Sequence, residues 1–114
     1  MGPRVLISDC MDSGVVDVLE GIKGVIVDEN TELTPKELLG IIGEYDGLIV
    51  RSSTKVTEDV IQAGKRLRVI GRAGAGVDNI DVAAATRRGI VVMNTPGGNS
   101  TSTAEHSVGL LLAL

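Results

Sequence analysis

Aromatic side chains are almost absent from this sequence: among 114 residues there is one Tyr and no Phe or Trp. The core must therefore be filled by branched aliphatic side chains, and Val, Leu and Ile together account for 36 residues. Strands that are buried on both faces of a parallel sheet are rich in these residues. The composition thus favours a parallel sheet inside one domain, since 114 residues leave room for a single core.

Three further absences narrow the class of protein. The single cysteine, Cys10, excludes an internal disulfide, and no leader-like segment opens the chain, which together indicate a cytoplasmic protein. No stretch reaches the roughly 18 consecutive apolar residues of a membrane span. With a net charge of −4 and no block of Lys or Arg, the chain has no electrostatic footprint for nucleic acid or an anionic membrane. The sequence is predicted to be a soluble globular domain.

Short apolar runs alternate with segments of helical period along the chain. Five runs are predicted to be strands, at 4–9, 24–28, 47–50, 67–71 and 90–93. The helical period of the first two intervening segments predicts that Val18 and Leu39 are among the side chains that point towards the sheet. The clearest helix starts are Thr34, followed by Pro35 and Glu37 in a capping box, and the N-cap Thr57. This alternation predicts an α/β fold with an open, parallel, five-stranded sheet whose strand order is flavodoxin-like or Rossmann-like.

The last part of the chain follows a different pattern. Residues 94–101 are rich in turn formers and are predicted to be an irregular connector. A final helix is predicted from Ser102, where Ser102 and Glu105 fit a capping box, to Leu114. This helix is apolar almost all round and lacks the usual C-terminal signals. We therefore expect the sequence to be a fragment whose missing part covers this helix.

Candidate binding residues follow the predicted strands, because ligands of such sheets bind beyond the carboxyl ends of the strands. Arg51 follows the third strand, where its guanidinium can grip a carboxylate or phosphate and Ser52 adds a hydroxyl donor. Asn94 ends the fifth strand, where it can orient a substrate carbonyl. The alternatives are a solvated arginine at position 51 and an amide at position 94 that only caps the connector.

A glycine-rich turn at 72–79 follows the fourth strand. Its spacing, Gly74-x-Gly76-x-x-Asn79, lacks the third glycine of a dinucleotide fingerprint, and no Asp or Glu ends the fifth strand. A dinucleotide site is therefore not predicted here. Successive backbone amides in such a turn form a nest that binds anions. The alternative is that the glycines only permit a tight turn between strand and helix.

Other polar residues give weaker signals, and no metal site is predicted. His106 lies beside an apolar helical run and is interpreted as a packing residue. Asp9 and Asp12 would form the magnesium pair of a phosphate-receiver domain, but such a domain also needs an Asp after the third strand and a Lys after the fifth. The sequence has Arg51 and Asn94 at those places. A binding or scaffold module without chemistry is the second alternative.

Four segments at matching intervals resemble the D-2-hydroxyacid dehydrogenase superfamily: VLISD at 5–9, GLIVRS at 47–52, GRAGAGVDNID at 71–81 and VMNTPGGNS at 92–100. The resemblance covers nearly the whole chain. The run Arg72-Ala73-Gly74 and the GNS after Thr95-Pro96 favour the branch that acts on 3-phospho-D-glycerate. The resemblance implies the substrate-binding portion of an NAD-dependent oxidoreductase that forms 3-phosphohydroxypyruvate, the entry to L-serine biosynthesis. Another D-2-hydroxyacid is the alternative substrate.

The resemblance also implies roles for individual residues. Arg51 and Ser52 would contact the substrate, Arg72 would assist with its phosphate, and Asn94 would line the cleft. The amides of the turn would hold the substrate carboxylate, and they belong to Gly74, Ala75, Gly76 and Val77. Position 75, often Thr in the family, faces the cofactor, so Ala75 would offer it only backbone contact.

Domain organisation is implied in the same way. Residues 1–101 would form the substrate-binding domain, and 102–114 the first helix of a nucleotide-binding domain that makes contacts within a homo-oligomer. The catalytic Arg, Glu and His of the family and its cofactor fingerprint would lie beyond Leu114. The polypeptide by itself is therefore expected to show no dehydrogenase turnover.

Overall fold

A five-stranded parallel sheet organises the computed structural model, which describes residues 2–11, 14–95 and 100–114. The strands are β1 Arg4–Ile7, β2 Ile26–Glu29, β3 Gly47–Val50, β4 Val69–Arg72 and β5 Val91–Asn94. Their order across the sheet is β2-β1-β3-β4-β5, and every neighbouring pair is parallel. The predicted fold class is confirmed, and of the two strand orders considered the flavodoxin-like one is observed.

Helices follow the strands on both faces of the sheet. They are α1 Val15–Glu20, α2 Pro35–Ile41, α3 Glu58–Ala63, α4 Val82–Arg87 and α5 Ser100–Ala113, with a 3₁₀ turn at Ile42–Glu44. The predicted capping box is present, because the Thr34 hydroxyl accepts from the Glu37 amide and the Glu37 carboxylate accepts from the Thr34 amide. The hydrogen bond that the Thr34 amide donates to the carboxylate, followed by the interaction of the carboxylate with the Thr34 hydroxyl, lowers the pKa of Glu37. The Thr57 hydroxyl caps α3 by accepting from the Val60 amide.

Aliphatic side chains form one buried cluster on each face of the sheet. The first face is covered by α2, α3 and α4, and its central side chains are Leu6, Leu48 and Ile70. The second is covered by α1 and α5, which pack on Val5, Ile7, Ile49 and Val69. The sequence pattern also predicted Val18 and Leu39 to point inward, which is wrong: each is 38% exposed. These helices have only six and seven residues, and each buries fewer side chains than its apolar pattern predicts.

The last helix begins earlier than predicted. It starts at Ser100, so Ser102 lies inside the helix rather than at its N-cap, and residues 100–101 are helical rather than part of an irregular connector. Residues 96–99 of that connector lie outside the described residues. The early turns pack against the sheet, since Ser100 is 3% exposed and Thr103 is fully buried. Tertiary packing of this kind determines where a helix starts more strongly than a local capping signal.

Small residues bring α5 close to the sheet. A Cβ built on Gly71 of β4 would meet the Ser107 hydroxyl oxygen and would lie 3.2 Å from Thr103 Cγ2. A Cβ on Gly47 of β3 would lie 2.8 Å from Leu111 Cδ1. Helix α5 therefore completes the second buried cluster in this chain, whereas the assignment of 102–114 to a separate domain stays a prediction.

A group of charged and aromatic side chains ties β1 to β2 and to the start of β3. The Tyr45 hydroxyl and the Arg4 guanidinium donate to the same Asp28 oxygen, at 2.7 and 2.9 Å, and Arg4 lies 5.0 Å above the Tyr45 ring. The hydrogen bond from Tyr45 and then that from Arg4 lower the pKa of Asp28. Burial, followed by the hydrogen bond to Asp28, raises the pKa of Tyr45 to about 12.

The only tyrosine makes this cluster directly measurable. We expect the phenolate absorbance of the folded chain to titrate near pH 12, and that of the urea-unfolded chain near the ordinary value of about 10. Because the folded phenol holds its proton more tightly, the stability that Tyr45 contributes is complete below pH about 10 and is lost between about 10 and 12. Asp28→Asn should move the folded transition part of the way towards 10, while a folded wild-type transition at 10 would contradict the structure.

Candidate functional site

The carboxyl ends of the central strands bring several of the predicted binding residues together. In the sheet register Arg72 pairs with Val50 on one side and with Asn94 on the other. Arg51 and Ser52 follow β3 directly, and the glycine-rich turn follows β4. The predicted candidates therefore lie along one edge of the sheet, where ligands of this fold bind.

The glycines of the turn are required by backbone conformation. Gly74 has φ of 138° and Gly76 has φ of 80°, a region that other residues rarely adopt. A Cβ on Gly74 would meet no atom within 4 Å, so space is not what selects glycine there. Ala75 and Gly76 are exposed and Val77 is half-buried. The turn thus presents backbone at the surface beside Arg72, as an anion nest requires.

Arg72 carries an unusual set of donors. Its Nε and Nη1 atoms are buried, and neither has a hydrogen-bond partner within the described ranges. The same turn contains Asp78, and a Cβ on Gly76 would lie 3.7 Å from Arg72 Nη1 and 4.0 Å from Asp78 Oδ1, but the two side chains form no ion pair among those of the described residues. A buried donor without an acceptor is costly, by roughly 1–3 kcal/mol and more when charged. An anionic ligand would supply the missing acceptors.

Arg51 and Ser52 are exposed at the same edge. In the described part of the chain the Arg51 guanidinium forms no hydrogen bond or ion pair, so its side chain is available to a ligand. The Ser52 carbonyl oxygen accepts from Lys55 Nζ at 3.4 Å, and the Ser52 hydroxyl takes no part in that contact. The Arg51 side chain thus projects from a residue whose own amide and carbonyl are both hydrogen-bonded.

Two buried residues that the sequence patterns did not assign to the site hold this loop. Asp9 Oδ2 accepts hydrogen bonds from the Arg51 and Thr54 amides, at 2.8 and 3.0 Å, and Asp9 Oδ1 accepts from the Thr54 hydroxyl at 2.6 Å. Asn79 Nδ2 donates to the Arg51 and Thr54 carbonyls, both at 2.7 Å. The signal that was available is position: Asp9 follows β1, and Asn79 stands where a dinucleotide fingerprint has its third glycine.

Two other candidates, Asn94 and His106, have different surroundings from those expected. Asn94 is half-buried, and its Nδ2 lies 3.4 Å from the Gly74 carbonyl, so it contacts the glycine turn. His106 is exposed on α5, and its interpretation as a packing residue is therefore wrong. The reason is that α5 has a narrow buried stripe and presents its opposite side to solvent. Neither residue lies in an acid–base pair among the described hydrogen bonds and ion pairs.

The acidic pair considered for magnesium does not gather ligands. Both carboxylate oxygens of Asp9 accept hydrogen bonds from the loop, and Asp12 lies outside the described residues. Within residues 2–11, 14–95 and 100–114 no group of three or more His, Cys, Asp or Glu side chains is placed to hold a metal ion. In the same ranges, no helix has both the length and the apolar character needed to cross a membrane.

The described residues do not fit a nicotinamide dinucleotide. The third-glycine position is filled by Asn79, which is 8% exposed and whose amide is committed to the neighbouring loop. Strand β5 ends in Asn94, which offers no carboxylate for ribose hydroxyls. The exposed backbone at Ala75 is the only part of the turn suggested to face a cofactor, and that assignment stays a prediction.

Curated relatives share most of this chain and extend far beyond it. The D-3-phosphoglycerate dehydrogenase of Synechocystis is 51% identical over 111 residues, which cover 97% of this chain and 20% of the relative. That of Sus scrofa is 53% identical over 111 residues, with 97% and 21% covered. That of Archaeoglobus fulgidus is 48% identical over 110 residues, with 96% and 21% covered. The chain thus spans about a fifth of the length of these relatives.

Solved structures agree on the fold. The PH0520 protein from Pyrococcus horikoshii matches with a TM-score of 0.78 and 38% identity over 85% of this chain and 28% of its own. The NAD⁺-bound 3-phosphoglycerate dehydrogenase of Entamoeba histolytica matches with a TM-score of 0.72 and 35% identity over 85% and 34%. The family model described as D-isomer specific 2-hydroxyacid dehydrogenase, catalytic domain, matches residues 5–108. This chain therefore belongs to the D-isomer specific 2-hydroxyacid dehydrogenase family.

Proposed function

We propose that this chain is the substrate-binding portion of an NAD-dependent D-3-phosphoglycerate dehydrogenase. Its ligands would be 3-phospho-D-glycerate and 3-phosphohydroxypyruvate, and the reaction would open L-serine biosynthesis in the cytoplasm. The proposal is supported by the names of relatives that are about half identical over nearly the whole chain. The second candidate is a different D-2-hydroxyacid, since structural neighbours of the family include a glyoxylate reductase.

The observation that carries the proposal is that the buried Nε and Nη1 atoms of Arg72 have no hydrogen-bond partner among the described residues. The N–H groups of Nε and Nη1 point to different sides of the guanidinium, so a phosphate or carboxylate oxygen can accept from one of them at a time, and such charge-assisted bonds are stronger than neutral ones. Arg51 approaches the same edge from the neighbouring strand, and its guanidinium is exposed. Two arginines beside an amide-rich turn suit a ligand with two anionic ends, which is what distinguishes phosphoglycerate from simple hydroxyacids.

The roles of the remaining residues follow from this placement. The amides from Gly74 to Val77 would bind the substrate carboxylate, Ser52 would donate its hydroxyl, and Asn94 would keep the turn in place through Gly74. The dinucleotide site and the catalytic acid–base groups would lie in the part of the enzyme that corresponds to the regions of the longer relatives not covered by this chain. The whole enzyme would be a homo-oligomer. The 114-residue chain would bind substrate without turning it over.

Titration calorimetry of the chain with 3-phospho-D-glycerate tests the proposal. Arg72→Met should weaken binding by roughly 10- to 150-fold, because a charged hydrogen-bonding group is worth about 1.5–3 kcal/mol. Arg68→Met removes the same charge at the opposite end of β4 and should change affinity less than about two-fold. Equal losses in the two variants would contradict a specific site. Equal affinity for D-glycerate would contradict the phosphate assignment and favour the second candidate.

A further inference from the structure

The first half of the loop between β3 and α3 is held by side chains at its two ends, Arg51 and Thr54. The amides of Arg51 and Thr54 donate to one oxygen of Asp9, and the carbonyls of the same two residues accept from the single amide nitrogen of Asn79. All four distances lie between 2.7 and 3.0 Å. Every backbone polar group of Arg51 and Thr54 is therefore bound by one of two side chains.

The two anchors reach the loop from opposite sides. Strand β3 lies between β1 and β4 in the sheet. Asp9 follows β1 and is 4% exposed, while Asn79 ends the turn that follows β4 and is 8% exposed. Buried hydrogen bonds of this kind are stronger than exposed ones, and removing one partner leaves the other unsatisfied. The loop is thus fixed from both neighbouring strands rather than by its own turn geometry.

Asn79 also connects this loop to the glycine turn. Its side chain binds the Arg51 carbonyl, and its backbone carbonyl accepts from the Val56 amide at 2.8 Å. The Asp81 amide in turn donates to the Val56 carbonyl at 2.9 Å. The exposed guanidinium of Arg51 and the exposed amides of the turn therefore belong to one hydrogen-bonded unit.

We propose that Asp9 and Asn79 are positioning residues, which touch no ligand but fix Arg51 and the glycine turn in one relative geometry. This inference rests on the proposed function, since it assumes that both elements bind the same anion. A displacement of about 1 Å in the groups that position a substrate can lower an enzyme's rate on the order of 100-fold. The side chains act through the backbone of the loop, so their loss should loosen Arg51 while leaving Arg72 on its strand.

The variants separate positioning from stability. Asp9→Ala removes all three acceptor contacts, whereas Asp9→Asn keeps one oxygen for the two amides and serves as the conservative rescue. Asn79→Asp preserves shape but places an acceptor against two carbonyls. The matched control is Asp46→Ala, because Asp46 also accepts from a backbone amide, that of Arg4, but at the opposite edge of the sheet.

Two measurements are made on each folded variant of the 114-residue chain. They are the calorimetric affinity for 3-phospho-D-glycerate, and the hydrogen exchange of the loop amides of Arg51 and Thr54 and of the turn amides from Gly74 to Val77. Asp9→Ala and Asn79→Asp should weaken binding at least about ten-fold and speed exchange in the loop. Asp9→Asn should recover most of the affinity, and Asp46→Ala should lose stability without losing affinity. If Asp9→Ala does not fold, Thr54→Val, which removes the hydroxyl that Asp9 binds, should give the same changes to a smaller extent.

The positioning role would be overturned if Asn79→Asp and Asp9→Ala both kept wild-type affinity and unchanged exchange in the loop. Where Asp9→Ala does not fold, Thr54→Val takes its place in this comparison. Loss of affinity in Asp46→Ala equal to that in Asp9→Ala would overturn it as well, since the effect would then be general instability. If the wild-type chain binds no 3-phospho-D-glycerate, the proposed function fails. The exchange data then test only whether Asn79 anchors the loop and the turn. Faster exchange in both segments of Asn79→Asp supports this anchoring, and unchanged exchange overturns it.

Discussion

Replacing Val108 by Asp is expected to unfold the chain or to release α5 from the sheet. Val108 is fully buried and packs in the cluster formed by β1, β3, β4 and α1. An aspartate there would have no cationic partner in the described cluster, and burying an unpaired charge costs several kcal/mol. That cost is a large fraction of the roughly 5–15 kcal/mol that stabilises a typical domain.

The matched control lies on the same helix. Leu112 is 53% exposed, so Leu112→Asp introduces the same charge with little change in stability. Urea unfolding measured by circular dichroism compares the two variants. If Val108→Asp were as stable as Leu112→Asp, α5 would not be part of this core, and the assignment of 102–114 to a separate domain would gain support.

Truncating Leu48 to Ala is expected to lower the free energy of unfolding by about 2–5 kcal/mol. Leu48 lies in β3, the central strand, and is fully buried in the cluster beneath α2, α3 and α4. Its strand has a hydrogen-bonded neighbour on each side, so the backbone cannot easily move to fill the cavity. Both the lost burial and the remaining cavity therefore contribute to the cost.

The same substitution at Leu39 provides the comparison. Leu39 is 38% exposed on α2, a helix in which Ala has the highest propensity. We expect Leu39→Ala to cost less than about 1 kcal/mol. Thermal and urea unfolding of the two variants would measure the difference, and equal losses would contradict the burial of the central strand described here.

The fold was largely predictable because its signals are local. Each strand is a short aliphatic run, and the N-caps at Thr34 and Thr57 can be recognised from the residues next to them in the sequence. What failed depends on contacts between distant segments. The exposure of Val18 and Leu39 and the start of α5 at Ser100 are decided by which surface each helix meets, and the local pattern contains no information about that surface.

The candidate site divides in the same way. The positions of Arg51 and the glycine turn were predictable because ligands of parallel sheets bind at the strand ends, whereas Arg72 was implied only by the family resemblance, and the binding roles of all three stay predictions. The anchoring role of Asp9 and Asn79 was not, since their partners lie 42 and 28 residues away at Arg51. The sequence pattern predicts that such residues lie near the end of a strand, but it does not predict which way their side chains point.

The shortness of the strands has a consequence for how the chain behaves in concentrated solution. Each outer strand, β2 and β5, has four residues and so presents few unpaired peptide groups along its free edge. The β2 edge also carries the exposed Glu29, which would repel a second copy of the same edge, whereas Asp28 is paired with Arg4 and Tyr45. Short edges, and on β2 an unpaired charge, oppose the strand-to-strand pairing that begins aggregation. Together with the net charge of −4, they favour a chain that stays dispersed at the concentrations that calorimetry and hydrogen exchange need.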